Sequence, residues 1–223
     1  MKLPFKMRQE TSMEKYRAET FWTKEPETIA WIESFKPHDV FFDVGANVGV
    51  YSLFAASLYP EMTIRAFEPF RPNYEVLFAN KNLNQFVKLI CYWAAIGKYS
   101  GLTILEGGGD QIGASGAQMC GCKGERVPIL ALDDFSPDTL PTHVKIDIDG
   151  QELEVVKGMT KTLPFIKSIL IEVSNKSKEP ITDILLAAGF STDNRFNSMS
   201  PHSRERRLKE GIDAENIIFD RRT

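Results

Sequence analysis

The chain has little that would draw it to a polyanion: 27 Lys and Arg stand against 30 Asp and Glu, a formal net charge of -3, so no global basic excess favours nucleic acid as a partner. The basic run Arg204, Arg206, Arg207 and Lys209 is local and broken by Glu205 and Glu210, the pattern of a solvated face. Cysteine is scarce, with Cys91, Cys120 and Cys122 odd in number and Cys120-Gly121-Cys122 too close for C-x-x-C metal or redox spacing, so incidental reduced thiols are expected. Only three histidines occur, His38, His143 and His202, and none forms an H-x-x-x-H or H-E-x-x-H pattern. No apolar run approaches the ~20 residues of a membrane span, and none of 7 to 15 residues follows the basic Met1-Lys2-Leu3-Pro4-Phe5-Lys6, so a cytoplasmic protein without a membrane span is expected. With 223 residues, 43% of them hydrophobic, the chain is long enough for one well-buried domain and short for two.

Against these absences stands Val40-Phe41-Phe42-Asp43-Val44-Gly45-Ala46-Asn47-Val48-Gly49, an apolar strand that ends on a carboxylate and turns through small residues into a helix. Such a turn brings backbone close to a ligand at the start of a helix, where N–H groups and the positive dipole end lie. A second strand, Ile64-Arg65-Ala66-Phe67-Glu68-Pro69, ends on an acid roughly 20 residues after Gly49, the spacing at which a carboxylate reaches a ribose hydroxyl pair. Asn47 and Gly49 stand where the dinucleotide fingerprint has other glycines, and no third glycine opens the helix, which argues for a ligand without a pyrophosphate. S-adenosylmethionine fits: it offers a ribose to Glu68 and two positive charges to Asp43 and its neighbours.

The chain resembles the FkbM-type class I methyltransferases. The resemblance rests on Phe42-Asp43-Val44-Gly45-Ala46-Asn47-Val48-Gly49, on Ala66-Phe67-Glu68-Pro69 followed by Asn73-Tyr74, Leu77, Asn80 and Asn84, and on Val144-Lys145-Ile146-Asp147-Ile148-Asp149-Gly150 with Glu152 and Gly158. It covers nearly the whole chain, from about Glu27 to Phe219. It implies a cofactor site at Asp43, Gly45, Ala46, Asn47, Gly49, Glu68, Pro69, Ala95 and Asp147. It also places Asp147 beside the methyl-bearing part of the cofactor, the first candidate to take a proton from the acceptor or orient it, with Glu172 second. The reaction implied is O-methylation of a hydroxyl on a sugar, glycan or small polar metabolite. N-methylation of a similar acceptor, a non-catalytic cofactor-binding protein and a nicotinamide-dependent oxidoreductase are the alternatives, and the missing dinucleotide glycines count against the last.

The fold expected is α/β, a doubly wound, Rossmann-like class I methyltransferase sheet that is mostly parallel. Strand-like and helix-like segments alternate, as in a parallel sheet covered on both faces. Helices are predicted over 28–35, 72–84, 151–163 and 181–188, the second carrying Tyr74, Leu77 and Phe78 on one face. Strands are predicted over 40–43, 88–96, 143–148, 168–173, 190–193 and 216–220, the last two as an antiparallel C-terminal hairpin. An inserted hairpin and loop around 101–132 interrupts the order, and its small-residue loop over 107–116 is a candidate lid. Residues 1–36 read as an N-terminal helical flap or packing segment, in which Phe21 and Trp22 lie near the cofactor edge or in the core, and residues 37–223 as a single methyltransferase domain.

Four acids, Asp43, Glu68, Asp147 and Glu172, fall at the carboxyl ends of predicted parallel strands, where open α/β sheets hold ligands. A lone strand-terminal acid is often only a helix cap, whereas four beside a glycine turn suggest a site. Asp149, Gln151 and Glu152 also suit the first turn of the next helix. A hydroxyl acceptor must lose its proton to a base within hydrogen-bond reach. His143 has the pKa for that task but stands at the amino end of its strand, where a surface position is expected. Asp147 and Asp149 could ligate a divalent ion, yet no third ligand can be named, and the metal-free form is expected. Asp110, Gln111, Ser115, Asn175 and Asn194 are polar loop residues able to bond sugar hydroxyls.

Overall fold

The computed structural model describes residues 2–107, 112, 117–119, 124–136, 139–199, 205, 209, 211 and 213–221. Its main sheet has seven strands: β1 (Val40–Val44), β2 (Thr63–Phe67), β3 (Leu89–Tyr92), β8 (His143–Ile146), β9 (Ser168–Val173), β10 (Phe190–Thr192) and β11 (Glu215–Arg221). They lie in the order β10-β11-β9-β8-β1-β2-β3, with β11 antiparallel to both neighbours and every other pairing parallel. From β1 the chain winds outward through β2 and β3, then returns to the other side of β1 as β8 and β9. The order therefore reverses between β1 and β8, which makes their carboxyl ends the natural ligand crevice. This is the mostly parallel, Rossmann-like sheet with an antiparallel C-terminal hairpin that the sequence predicts.

The strands are apolar on both faces because helices cover both. Phe42, Val44, Phe67, Val144, Ile146, Ile169 and Ile171 pack into one core, with Val155, Val156 and Ile181 of α5 (Glu152–Lys157) and α6 (Lys178–Ala187). Phe41, Ile64, Ala66, Leu170 and Ile218 face the other, which Trp31 of α2 (Pro26–Glu33) and Leu53 and Phe54 of α3 (Val50–Leu58) complete. Strand alternation places Asp43 and Lys145, paired across β1 and β8, on this second face.

Two helices precede the sheet. In α1 (Ser12–Lys24) the Thr11 hydroxyl caps the Glu14 N–H while Glu14 reaches back to the Thr11 N–H, a reciprocal pair contributing about 1 kcal/mol. Pro26 sits at the first position of α2, which starts two residues before the predicted helix because proline's fixed φ suits that position. Phe21 and Trp22 both meet Phe54, at 5.1 and 5.8 Å between ring centres, so the N-terminal segment packs against α3.

Three expectations change in detail. The run 88–96 is split: β3 ends at Tyr92, the Trp93 indole donates to the Pro69 carbonyl at 2.8 Å, and β4 (Ala95–Ile96) leaves for a second sheet. That sheet is the predicted insertion, with β5 (Gly101–Gly107) and β7 (Glu125–Leu130) antiparallel and β4 and β6 (Ala117–Met119) outside them, in the order β4-β7-β5-β6. The helix predicted over 151–163 stops at Lys157, because the Asp133 carboxylate takes the N–H groups of Lys161 and Thr162 at 2.9 and 2.8 Å, donors a continuing helix would bond internally. Phe78 of α4 (Arg71–Asn84) is 44% exposed although Leu77 beside it is buried. Among the described residues, no helix is long and apolar enough to cross a membrane.

His143 is not the surface residue its position suggested: it is 7% exposed, because α2 and the turn after it cover the amino end of β8. Its Nε2 lies 3.0 Å from Asp39 Oδ2, its Nδ1 2.7 Å from Ser168 Oγ, and the Phe35 ring stacks on it at 3.9 Å. Trp31 Nε1 donates to the same Ser168 Oγ at 2.8 Å, and Lys167 pairs with Asp39 Oδ1 at 2.6 Å. Burial pushes the His143 pKa down, outweighing the Asp39 carboxylate that pulls it up. A histidine whose folded pKa is depressed stabilises the fold fully above its unfolded pKa, and that stability falls as the pH drops below it. Urea unfolding of the parent and His143→Gln between pH 8 and pH 5 checks this: the parent should lose more stability than the variant on acidification, and equal slopes would refute it.

Candidate active site

The turn from β1 into α3 runs through three left-handed residues, Gly45 (φ 80°), Asn47 (φ 52°) and Gly49 (φ 90°). Gly45 has a second reason to be glycine, since a Cβ there would lie 2.0 Å from the Asp147 carbonyl oxygen. The turn is thereby pressed directly against the exit of β8. Every N–H from Gly45 to Gly49 is already bonded within the protein: Gly45 and Ala46 to the Phe67 carbonyl, Asn47 to Glu68 Oε2, Val48 to Asn47 Oδ1 and Gly49 to the Ala46 carbonyl. A phosphate-binding turn keeps such donors pointed at its ligand, and this one spends them on itself.

Glu68 braces the turn. Its Oε2 accepts from Asn47 N at 2.8 Å and its Oε1 from Phe70 N at 2.9 Å, so one carboxylate ties the β1 exit to the start of α4. The residue is 6% exposed, and burial pushes its pKa up to about 7, against the two N–H bonds and the charge of Arg17 on α1. A ligand that donates hydroxyls to this carboxylate needs it ionised. Cofactor affinity measured by calorimetry should therefore be level above pH 7 and weaken as the pH falls below it, approaching tenfold per unit. Glu68→Gln should remove that dependence, and a pH-independent parent would show that the cofactor does not load on Glu68.

Behind the turn lies a buried polar cluster. Asp43 is 1% exposed and its Oδ2 accepts from the Ser52 hydroxyl at 2.6 Å, while its Oδ1 has no hydrogen-bond partner among the described residues. Burial raises the Asp43 pKa, against the Lys145 charge and the Ser52 bond that lower it. Lys145, also 1% exposed, places Nζ 2.5 Å from Asp147 Oδ2 and 5.1 Å from the centre of the Tyr51 ring. Burial alone would lower the Lys145 pKa, but the charges of Asp147, Asp43 and Glu25 hold it above the ordinary value. Lys145 in turn keeps the Asp147 carboxyl below its usual range despite burial. Glu25, at the break between α1 and α2, is 1% exposed, accepts from the Tyr51 hydroxyl at 2.8 Å and lies 3.3 Å from Lys24 Nζ. Glu27 is fully buried and accepts from Asn216 Nδ2 at 3.2 Å.

The candidates from sequence fall into groups. Asp43, Gly45, Ala46, Asn47, Gly49 and Glu68 form one continuous turn and brace, and Asp147 contacts it through the space above Gly45. Glu172 lies in β9, half-buried and opposite Asn216, two residues beyond the Leu170 that pairs with Lys145. Pro69 receives the Trp93 indole, and Ala95 is in β4, paired with Ile129 of the second sheet. Asn175 donates to Asp213 at 2.5 Å, and Asn194 is exposed on α7 (Asn194–Asn197). Asp110, Gln111 and Ser115, the lid segments 108–111 and 113–116, and Cys120, Cys122, His202, Arg204, Arg206 and Arg207 lie outside the described residues. Among the described residues, no group of three or more His, Cys, Asp or Glu is arranged to hold a metal ion.

Sequence reasoning passed over Lys145, Glu25, Tyr51 and Ser52. A signal for Lys145 was available: it stands two residues before Asp147, and a period of two puts both on one face. Glu152 carries a weaker one, with Gly150 N donating to its Oε1 at 3.1 Å and burial lifting its pKa to about 7 beside Asp147 and Asp149.

The cluster fits S-adenosylmethionine on its donor set. A buried carboxylate oxygen at Asp43 without a partner among the described residues suits a cationic ligand, a buried carboxylate at Glu68 suits a diol, and the backbone N–H groups of Gly45 to Gly49 are spent within the protein rather than offered to a phosphate. The Methyltransferase FkbM domain matches residues 43–192. Hexuronic acid methyltransferase AglP of Haloferax volcanii is 26% identical over 171 residues, 73% of this chain and 67% of that protein. The 31-O-demethyl-FK506 methyltransferase FkbM of Streptomyces tacrolimicus is 49% identical over 45 residues, 20% of this chain and 17% of that protein. Among solved structures, a protein of Clostridium thermocellum named as a proposed rRNA-methylase superposes with a TM-score of 0.53 at 9% identity, covering 89% of this chain and 95% of that one, a likeness of fold alone.

Proposed function

This chain belongs to the Methyltransferase FkbM domain family, and from that premise we propose that it methylates a hydroxyl oxygen on a sugar, a glycan or a similarly polar small metabolite. It is an S-adenosylmethionine-dependent methyltransferase; the acceptor and the atom methylated are the proposal. When bound, the cofactor supplies an electrophilic methyl group on a cationic sulfur. In this reading Glu68 accepts the ribose hydroxyls, and Asp43 faces the cationic end of the cofactor. Asp147 takes the acceptor's proton. Residues 1–36 serve as a packing segment, carried by α1 and α2, over the domain formed by 37–223.

The observation that carries the reading is the position of Asp147. Its carbonyl occupies the space a Gly45 side chain would need, and its side chain, about one-third exposed at 31%, follows directly on β8 at the point where strand order reverses. A carboxylate fixed against the cofactor turn and still open to the crevice suits a group that receives a proton from a bound hydroxyl. The sugar class is supported by the relative named for a hexuronic acid. The test is incubation with methyl-labelled cofactor and a panel of nucleotide sugars, lipid-linked glycans, catechols, peptides and RNA, followed by mass spectrometry of the products. Label on a sugar or small-metabolite oxygen is the expected result. Label on nitrogen, or only on peptide or RNA, overturns the acceptor while leaving the methyltransferase intact.

A further inference from the structure

Lys145 is an expensive residue to place where it stands. It occupies the middle of a buried strand, flanked by Val144 and Ile146, both fully buried, and a lysine there keeps its charge only against a strong local field. A methionine or leucine would fill the same volume without that cost. What the ammonium does instead is visible in its contacts: the Asp147 carboxylate at 2.5 Å, the face of Tyr51 at 5.1 Å, and the neighbouring charges of Asp43 and Glu25. The pair is one-sided, because the Lys145 side chain is 2% exposed and that of Asp147 31%. Only the Asp147 end of the pair reaches solvent.

We propose that Lys145 is a positioning residue for methyl transfer: its buried ammonium holds the Asp147 carboxylate charged and aimed at the crevice, so that a bound hydroxyl meets an acceptor of fixed direction. This rests on the reading of Asp147 as the proton acceptor. In the step, the acceptor's O–H proton passes to the Asp147 carboxylate and the oxygen lone pair forms the new C–O bond. The C–S bonding pair stays with sulfur, which goes from a cation to a neutral thioether. The carboxylate is partly exposed, so its proton then leaves to water. Lys145 keeps its own proton throughout.

The groups that face the pair set its behaviour. Asp43 comes from β1, Lys24, Glu25 and Glu27 from the α1–α2 junction and α2, Tyr51 from α3, and Asp149 and Glu152 from the turn after β8 and α5. Most are acids, so removing Lys145 leaves Asp147 among like charges, which raises its pKa, and without the ion pair that fixes its direction. Placing a guanidinium at the same site keeps the charge, whereas an apolar side chain of similar size does not.

The decisive measurement is a carbon-13 NMR titration of aspartate carboxyls in the full chain, with the Asp147 resonance assigned from its loss in Asp147→Asn. In the unaltered protein Asp147 should titrate below the ordinary aspartate range. In Lys145→Met it should move up by about one pH unit or more, and in Lys145→Arg it should return most of the way. With the acceptor found in the labelled-cofactor panel and the cofactor at saturation, Lys145→Met should lose at least about tenfold in kcat and its acidic limb should move to higher pH. An Asp147 carboxyl titrating at or above the ordinary range in the unaltered protein overturns the inference, even if Lys145→Met fails to fold. So does a folded, cofactor-binding Lys145→Met with an unmoved Asp147 titration. If Asp147→Asn is inactive in that case, the role of Asp147 survives and only that of Lys145 is lost. If Asp147→Asn instead turns over like the parent, the proton-acceptor reading itself fails.

Discussion

Asp147→Asn should lose about 10²- to 10⁴-fold in turnover, the range contributed by a positioned proton acceptor, while binding S-adenosylmethionine within a few-fold of the parent. The asymmetry follows from where the two ends of the residue lie. The backbone of Asp147 lies against the turn at Gly45, and the substitution leaves that backbone in place. The side chain faces the crevice and Lys145, and an amide of the same shape can still accept a hydrogen bond from the ammonium but cannot take a proton at neutral pH. Single-turnover kinetics with the identified acceptor, alongside calorimetry with the cofactor, separates the two quantities. Undiminished turnover would remove Asp147 from the chemistry, and a parallel collapse of cofactor affinity would show that its carboxylate serves binding instead.

Gly45→Ala should be among the most damaging small substitutions at the described residues. The added methyl would fall 2.0 Å from the Asp147 carbonyl oxygen and 2.9 Å from its carbon, and a backbone pinned between two parallel strands cannot swing away as a side chain would. The φ of 80° adds a left-handed penalty for any residue with a Cβ. Together these predict a loss of about 3–5 kcal/mol in urea unfolding, with cofactor binding abolished in whatever fraction remains folded. Gly101→Ala is the control: no atom lies within 4 Å of a Cβ there, and a change within about 0.5 kcal/mol is expected. A Gly45→Ala protein less than 1 kcal/mol below its parent would mean that β1 and β8 can part at their carboxyl ends far more easily than their packing indicates.

The parts of the fold that could be read from sequence are those in which neighbouring residues determine the structure. Strand β1, its turn and Glu68 form a contiguous pattern whose apolar run, glycines and spacing each have a local cause, and they fold as that pattern dictates. The break at Trp93 was hidden because 88–96 is uniformly strand-like, and only the Pro69 carbonyl, brought near by β2, marks where the strand turns away. The burial of His143 is invisible to its neighbours in sequence for the same reason: what covers it is Phe35 and Asp39, more than 100 residues earlier in the chain. Lys145 and Glu25 illustrate the harder case. Each looks like an ordinary charged residue, and their burial becomes visible only when β8, α3 and the α1–α2 break meet.

The way α2 is anchored bears on the order in which the protein assembles. Glu27 takes its bond from Asn216 on the last strand, while Lys6 and Arg8 donate their backbone N–H groups to Asn84 and Asn80 on α4. The opening segment therefore finds its permanent partners in two places, one in the first half of the chain and one 189 residues away. During synthesis β1, β2 and α4 can meet early, but β11 inserts between β9 and β10, so neither the sheet nor the seat of α2 is finished until Glu215–Arg221 has left the ribosome. Contacts of such long sequence separation slow folding, and until this one closes Glu27 lacks its Asn216 partner. Truncation of β11 would therefore remove the partner of Glu27 and the central strand of the C-terminal hairpin together, and should unseat α2 as well as the sheet edge.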